Sequence, residues 1–117
     1  MKYTVIITIG RNVGNQPMTL QDWWEYKTGI MSSLDYFHAV IVQRPMLTLS
    51  GDPDQVGFWE GKSEEAATFV AFVEEKWLHH LRNHLSVDVK AHKQQSMGFI
   101  AVPGTEHLIH AEQSKTN

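Results

Sequence analysis

Cysteine is absent from the 117 residues. Its absence excludes a disulfide framework, a thiolate zinc site, an iron–sulfur cluster and a cysteine nucleophile. It suits a reducing compartment, so a cytoplasmic location is expected. Basic runs are absent too. With a formal charge of −3 and no cluster of Lys and Arg, the chain lacks the electrostatic footprint of a nucleic-acid binder. No apolar run approaches the roughly 20 residues of a membrane helix. The opening segment from Tyr3 to Ile9 is too short for one, and no small-residue cleavage site follows it, so neither a membrane span nor a signal peptide is expected. There is no Gly-x-Ser-x-Gly nucleophile turn. Gly10-Arg11-Asn12-Val13-Gly14 follows a strand but lacks the Lys-Ser/Thr ending of a phosphate loop, and an Arg11 contact to an anion has no further support. Repeats, low-complexity tracts and linkers are also missing. One domain over residues 1–111, with a frayed polar tail over 112–117, is the expected organisation.

What is present is an ordinary apolar fraction of 42%, enough to build a core. A chain of this size buries about two thirds of its unfolded surface. Tyr3 to Ile9 is rich in β-branched residues and ends at Gly10, which reads as a strand. Residues 11–17 read as a loop. Thr19-Leu20-Gln21-Asp22 has the form of a capping box. Leu20, Trp23, Trp24, Ile30, Met31 and Leu34 then recur at helical spacing, and Gly29 weakens this helix without ending it. His38 to Ser50 is extended and interrupted by Pro45, which cannot donate to a ladder. Gly51-Asp52-Pro53-Asp54 is a turn. Gln55 to Gly61 then returns to form a hairpin with the segment before it.

Ser63 reads as an N-cap, with Glu64 and Glu65 complementing a helix dipole. The spacing of Ala66, Phe69, Val70, Val73, Trp77 and Leu81 predicts a helix from about Glu64 to about Leu85. Met97 to Val102 is a last long strand, and Glu106 to Ala111 a further short one. The order is β-α-β-β-α-β, that of an α+β, ferredoxin-like domain with two helices on one face of an antiparallel sheet.

A sheet with helices on one face and water on the other alternates apolar and polar residues. Here Ile100 and Val102 oppose Phe99 and Ala101, Val40 and Val42 oppose Ala39 and Ile41, and Val56 and Phe58 oppose Gly57 and Trp59. Only the first strand has a more polar side, with Thr4 and Thr8 flanking Ile6. Something must cover the second face. In this order and two-sided patterning, residues 3 to 102 resemble the dimeric α+β barrels, in which two ferredoxin-like protomers press sheet against sheet. The resemblance implies a homodimer through the open sheet face. The superfamily includes small monooxygenases, haem-degrading enzymes, isomerases and proteins of unknown function, so the resemblance does not select an activity.

Four residues are candidates for a ligand site: Lys27, Trp59, His80 and His84. His80 and His84 are four apart, a spacing that can chelate a metal, but Leu81 stands where the metalloprotease pattern needs Glu. With no third ligand implied, no metal is expected. Their plain reading is a set of imidazoles, with His79 and Arg82, favoured near a helix C-terminus. On the wheel they share a face with Val73 and Trp77, while His79 points out. Lys27 falls in the middle of an apolar stripe, where an amine must snorkel, pair with an acid or meet an anionic ligand. Its ammonium is expected to reach solvent or an acid. Trp59, beside Glu60, can stack a flat ligand or serve as a core or interface anchor, and the Trp23-Trp24 pair has the same two readings. His38 reads as structural or exposed, and His107 and His110 as surface residues near the tail.

Three functional readings remain open. The first is a dimeric module that binds a small apolar molecule or simply assembles. The second is a dimeric-barrel enzyme, monooxygenase- or isomerase-like, cofactor-independent or haem-using, with its pocket near Trp59, His80 or His84. The third is a protein-binding accessory module with tryptophan anchors. The sequence names neither a substrate nor a reaction.

Overall fold

The computed structural model describes residues 1–47, 55–59 and 62–105, with the side chains of all of these except 55–59, 62 and 63. The predicted turn at 51–54, the strand at 106–111 and the tail therefore lie outside the described residues. So does the side chain of Trp59.

The chain is an α+β protein. Its elements are β1 (Lys2–Gly10), β2 (Asn12–Val13), β3 (Gln16–Pro17), α1 (Leu20–Tyr36), β4 (Val40–Gln43), β5 (Gln55–Trp59), β6 (Lys62–Glu74), α2 (Glu75–Ala91) and β7 (Gly98–Pro103). The main sheet is ordered β4-β6-β1-β7, with β5 also paired to β6. All of its pairings are antiparallel. α1 carries the chain from β1 to β4 across β6, and α2 carries it from β6 to β7 across β1. Each helical crossover thus skips one strand.

The first helix starts as its sequence dictates. Asp22 N donates to Thr19 Oγ1 at 3.1 Å, which satisfies one of the amides a helix N-terminus leaves over. Gly29 sits inside α1 without breaking it. The second helix differs from expectation. Residues 62–74 form a strand, and α2 begins only at Glu75 and continues to Ala91. The run Ala66 to Val73 fits a period of 3.6, but it is also rich in Thr, Phe and Val and apolar at every second position on both sides. A continuous apolar run of this kind suits a strand buried between neighbours, and periodicity alone does not separate the two. The helix wheel that placed Val73 beside His80 and His84 therefore fails, and Val73 belongs to the sheet.

The predicted hairpin also changes partner. β5 pairs with β6 from Gln55↔Ala66 to Trp59↔Lys62, while β4 pairs further along the same strand, at Val40↔Phe72 and Ile41↔Ala71. At 13 residues, β6 is long enough to hold both on one edge. β4 ends at Gln43, before Pro45.

Register decides which residues face the helices. Val5↔Ala71, Ile7↔Phe69 and Ile9↔Ala67 lie side by side on β1 and β6. These six are at most 1% exposed. With Trp23, Tyr26, Ile30 and Leu34 of α1 and Leu81 and Leu85 of α2 they form one core, so both helices cover the same face. The even-numbered residues take the other face. Thr4↔Phe72 and Ile6↔Val70 continue on one side to Val102 and Ile100 of β7 and on the other to Val40 of β4. No described helix covers this side, and Val40 and Ile100 are 51% and 57% exposed.

Candidate functional site

The polar groups with defined partners collect in the seam between the helices. α1 presents Tyr26, Gly29 and Ser33, spaced to share one face. α2 presents His84 and Asp88 one turn apart, and His92 caps its C-terminus. Ser33 is buried, and its Oγ lies 2.9 Å from His84 Nδ1 and donates to Asp88 Oδ2 at 2.9 Å. A second acceptor, Gly29 O, is 3.1 Å away. A hydroxyl has one proton and a carboxylate only accepts. When Ser33 gives its proton to the charged acceptor, His84 Nδ1 must carry a hydrogen and donate to Ser33. His92 Nδ1, 3.1 Å from Asp88 O, donates to that carbonyl, and its ring stacks on Tyr26 at 4.7 Å. Burial, and after it the Asp88 carboxylate, push the Tyr26 phenol above its ordinary range.

A ring cluster continues this seam to the surface. Tyr36 lies nearly parallel to His84 with centroids 5.9 Å apart. Phe37 packs against His80, His84 and Trp77. His80 and His84 are both exposed. Among the described residues, no group of three or more His, Asp or Glu could hold a metal ion. Haem ligation needs an imidazole aimed into an apolar slot. His80 and His84 lie on the outside of α2 against stacked rings, so these residues do not fit a haem.

A second network ties the end of β1 to α1. Glu65 accepts from Arg11 Nη1 at 2.9 Å and from Trp23 Nε1 at 2.9 Å. Arg11 Nε also donates to Met18 O at 2.8 Å. Glu64, one residue earlier and on the opposite face, accepts from the Asn12 amide at 2.9 Å. Its carboxylate lies where a Cβ on Gly10 would stand, so a larger residue there would push this side chain aside. These two acids read in the sequence as helix-dipole partners; in the structure they pin the loop after β1.

Two of the four predicted site residues fall together. His80 and His84 share the ring cluster. Lys27 is 3% exposed. Its amine donates to Met46 O at 2.8 Å and lies 5.3 Å from the Trp23 ring centroid. A carbonyl thus meets the need of the buried amine for an oxygen. Trp59 lies in β5 opposite Lys62. Sequence reasoning missed Tyr26, Ser33 and Asp88. The available signals were a tyrosine and a serine seven apart in line with Trp23 and Ile30, and an acid one turn after His84. No protein-family model matches the chain, and a search of curated proteins finds none that matches it.

Proposed function

We propose that the protein works as a homodimeric ferredoxin-like module of the dimeric α+β-barrel type, assembled through its open sheet face. The observation that carries this reading is the row of apolar residues on the side without helices. Val40, Phe72, Ile6, Ile100 and Val102 run across four adjacent strands around Val70, which is itself 8% exposed. Monomers rarely expose a contiguous patch of this kind.

Two polar groups on that face are engaged within the chain. Thr4 Oγ1 donates to Gly104 O at 2.8 Å, and Glu64 is held by Asn12. Such a face loses little by being buried, and a second copy offers it an equally flat apolar surface under twofold symmetry. An obligate interface of this type buries on the order of 2,000 Å² or more in total. The strand order β4-β6-β1-β7 with two one-strand-skipping crossovers supports the ferredoxin-like part of the reading. A small apolar molecule is the ligand class that suits a module built around apolar sheet faces.

A second reading, a dimeric-barrel enzyme, is favoured by the side-chain acid–base groups His84, Asp88, Ser33 and Tyr26 gathered between the helices. The assembly reading is tested by melting the protein over a hundredfold range of concentration. Linkage makes the midpoint of an obligate dimer rise with concentration. Ile100→Asp, which places a charge in the interface, should lower the midpoint and abolish that dependence. A midpoint independent of concentration in the unmodified protein refutes the assembly.

A further inference from the structure

Tyr26 is fully buried, and its hydroxyl is the one buried side-chain polar atom among the described residues without a hydrogen-bond partner. Its ring is fixed by Trp23, edge-on at 6.2 Å, and by the stacked His92. Natural cores rarely leave a phenol in this state, since a buried donor forfeits its bond to water without replacement. Asp88 stands across the seam and acts on the phenol through its charge. Its Oδ2 is taken by Ser33. Its Oδ1 faces Gly29, where an added Cβ would stand 3.7 Å away. Gly29 falls between Tyr26 and Ser33 on α1 and brings no side chain into the seam. A buried donor without an acceptor thus faces a seam in which a carboxylate oxygen lies beside a glycine. What bridges the two must accept from a phenol and donate to a carboxylate. Water meets both conditions.

We propose that one water molecule is bound in the helix seam, accepting from Tyr26 Oη and donating to Asp88 Oδ1. It completes a hydrogen-bonded chain from Tyr26 through Asp88 and Ser33 to His84. That chain links a hydroxyl in the core to an imidazole at the surface. The inference rests on the helix seam alone and stands whether or not the sheet face dimerises.

The test pairs a high-resolution crystal structure with Tyr26→Phe in urea unfolding. The expected results are an ordered water within hydrogen-bond distance of both Tyr26 Oη and Asp88 Oδ1, and an unfolding constant raised about three- to tenfold in the variant, the range of one net hydrogen bond. Two results in the crystal overturn the proposal: no water there, or a direct Tyr26 Oη–Asp88 bond. So does an unfolding constant that is unchanged or lowered in Tyr26→Phe, because removing an orphan hydroxyl relieves the fold. The substitution removes one oxygen and keeps the ring, so the variant folds and both measurements can be made.

Discussion

The two faces of the sheet are built from the same kind of residue and differ in exposure. On the helix side Val5, Ile7, Phe69 and Ala71 are completely buried, whereas on the other side Val40 and Ile100 are more than half exposed. The covered face accounts for its own apolar character, because α1 and α2 remove it from water. The open face does not, since no described element lies over Ile100 or Val40. Apolar composition alone therefore does not separate a core from an interface. The register does, because it assigns each residue to a side and the helices then occupy only one.

The largest effect expected from this contrast is Phe69→Ala. It should cost about 3–5 kcal/mol in chemical unfolding, the range for truncating a buried aromatic. Ile100→Ala on the open face sharpens the comparison. A side chain that stays in water costs within about 0.5 kcal/mol when truncated, whereas one covered by a partner costs about 2 kcal/mol or more. The second value is expected.

The adjacent acids of β6 extend the contrast to polar groups. Glu65→Ala on the covered face removes the partner of both Arg11 and Trp23, each left largely buried, and should cost about 2–4 kcal/mol. Glu64→Ala on the open face strips one amide of its acceptor and should cost about 1 kcal/mol. Equal costs in urea titrations would break the distinction between the faces.

The covered side also has a pH signature. The folded state holds the Tyr26 phenol above its ordinary range, so its contribution is complete below the unfolded value near 10 and is lost as pH rises beyond it. Above that value the unfolded chain sheds a proton that the folded chain keeps, which lowers stability by at most about 1.4 kcal/mol per pH unit. Urea midpoints measured from pH 9 to 11 should fall, and Tyr26→Phe should remove this part of the slope.

Much of this was legible in the residues. Thr19 and Asp22 mark the start of α1 because a cap is a local event between neighbours in sequence. The class of the fold and the two-sided strands follow from composition and alternation. The start of α2 was not legible, because Ala66, Phe69, Val70 and Val73 satisfy a helical and a strand period at once. Only pairing with β1 on one edge and with β4 and β5 on the other selects the strand. The seam was half legible. His84 stood out as an imidazole on the helical face that carries Trp77, although it is exposed. Ser33 did not, since a serine in a helix looks the same whether it faces water or Asp88 from another helix. Lys27 was recognised as lying within an apolar stripe, but the Met46 carbonyl that its amine meets is a backbone group, which every residue carries and no pattern marks.

The central claim, that the open sheet face is covered by a second copy, is tested most directly by the mass in solution. Light scattering across a dilution series down to micromolar concentration should give twice the chain mass of 13.4 kDa, with Ile100→Asp reduced to single chains or aggregates. A folded, monodisperse species of single-chain mass throughout the series would contradict the account and leave Val40, Phe72, Ile6, Ile100 and Val102 uncovered in a stable monomer.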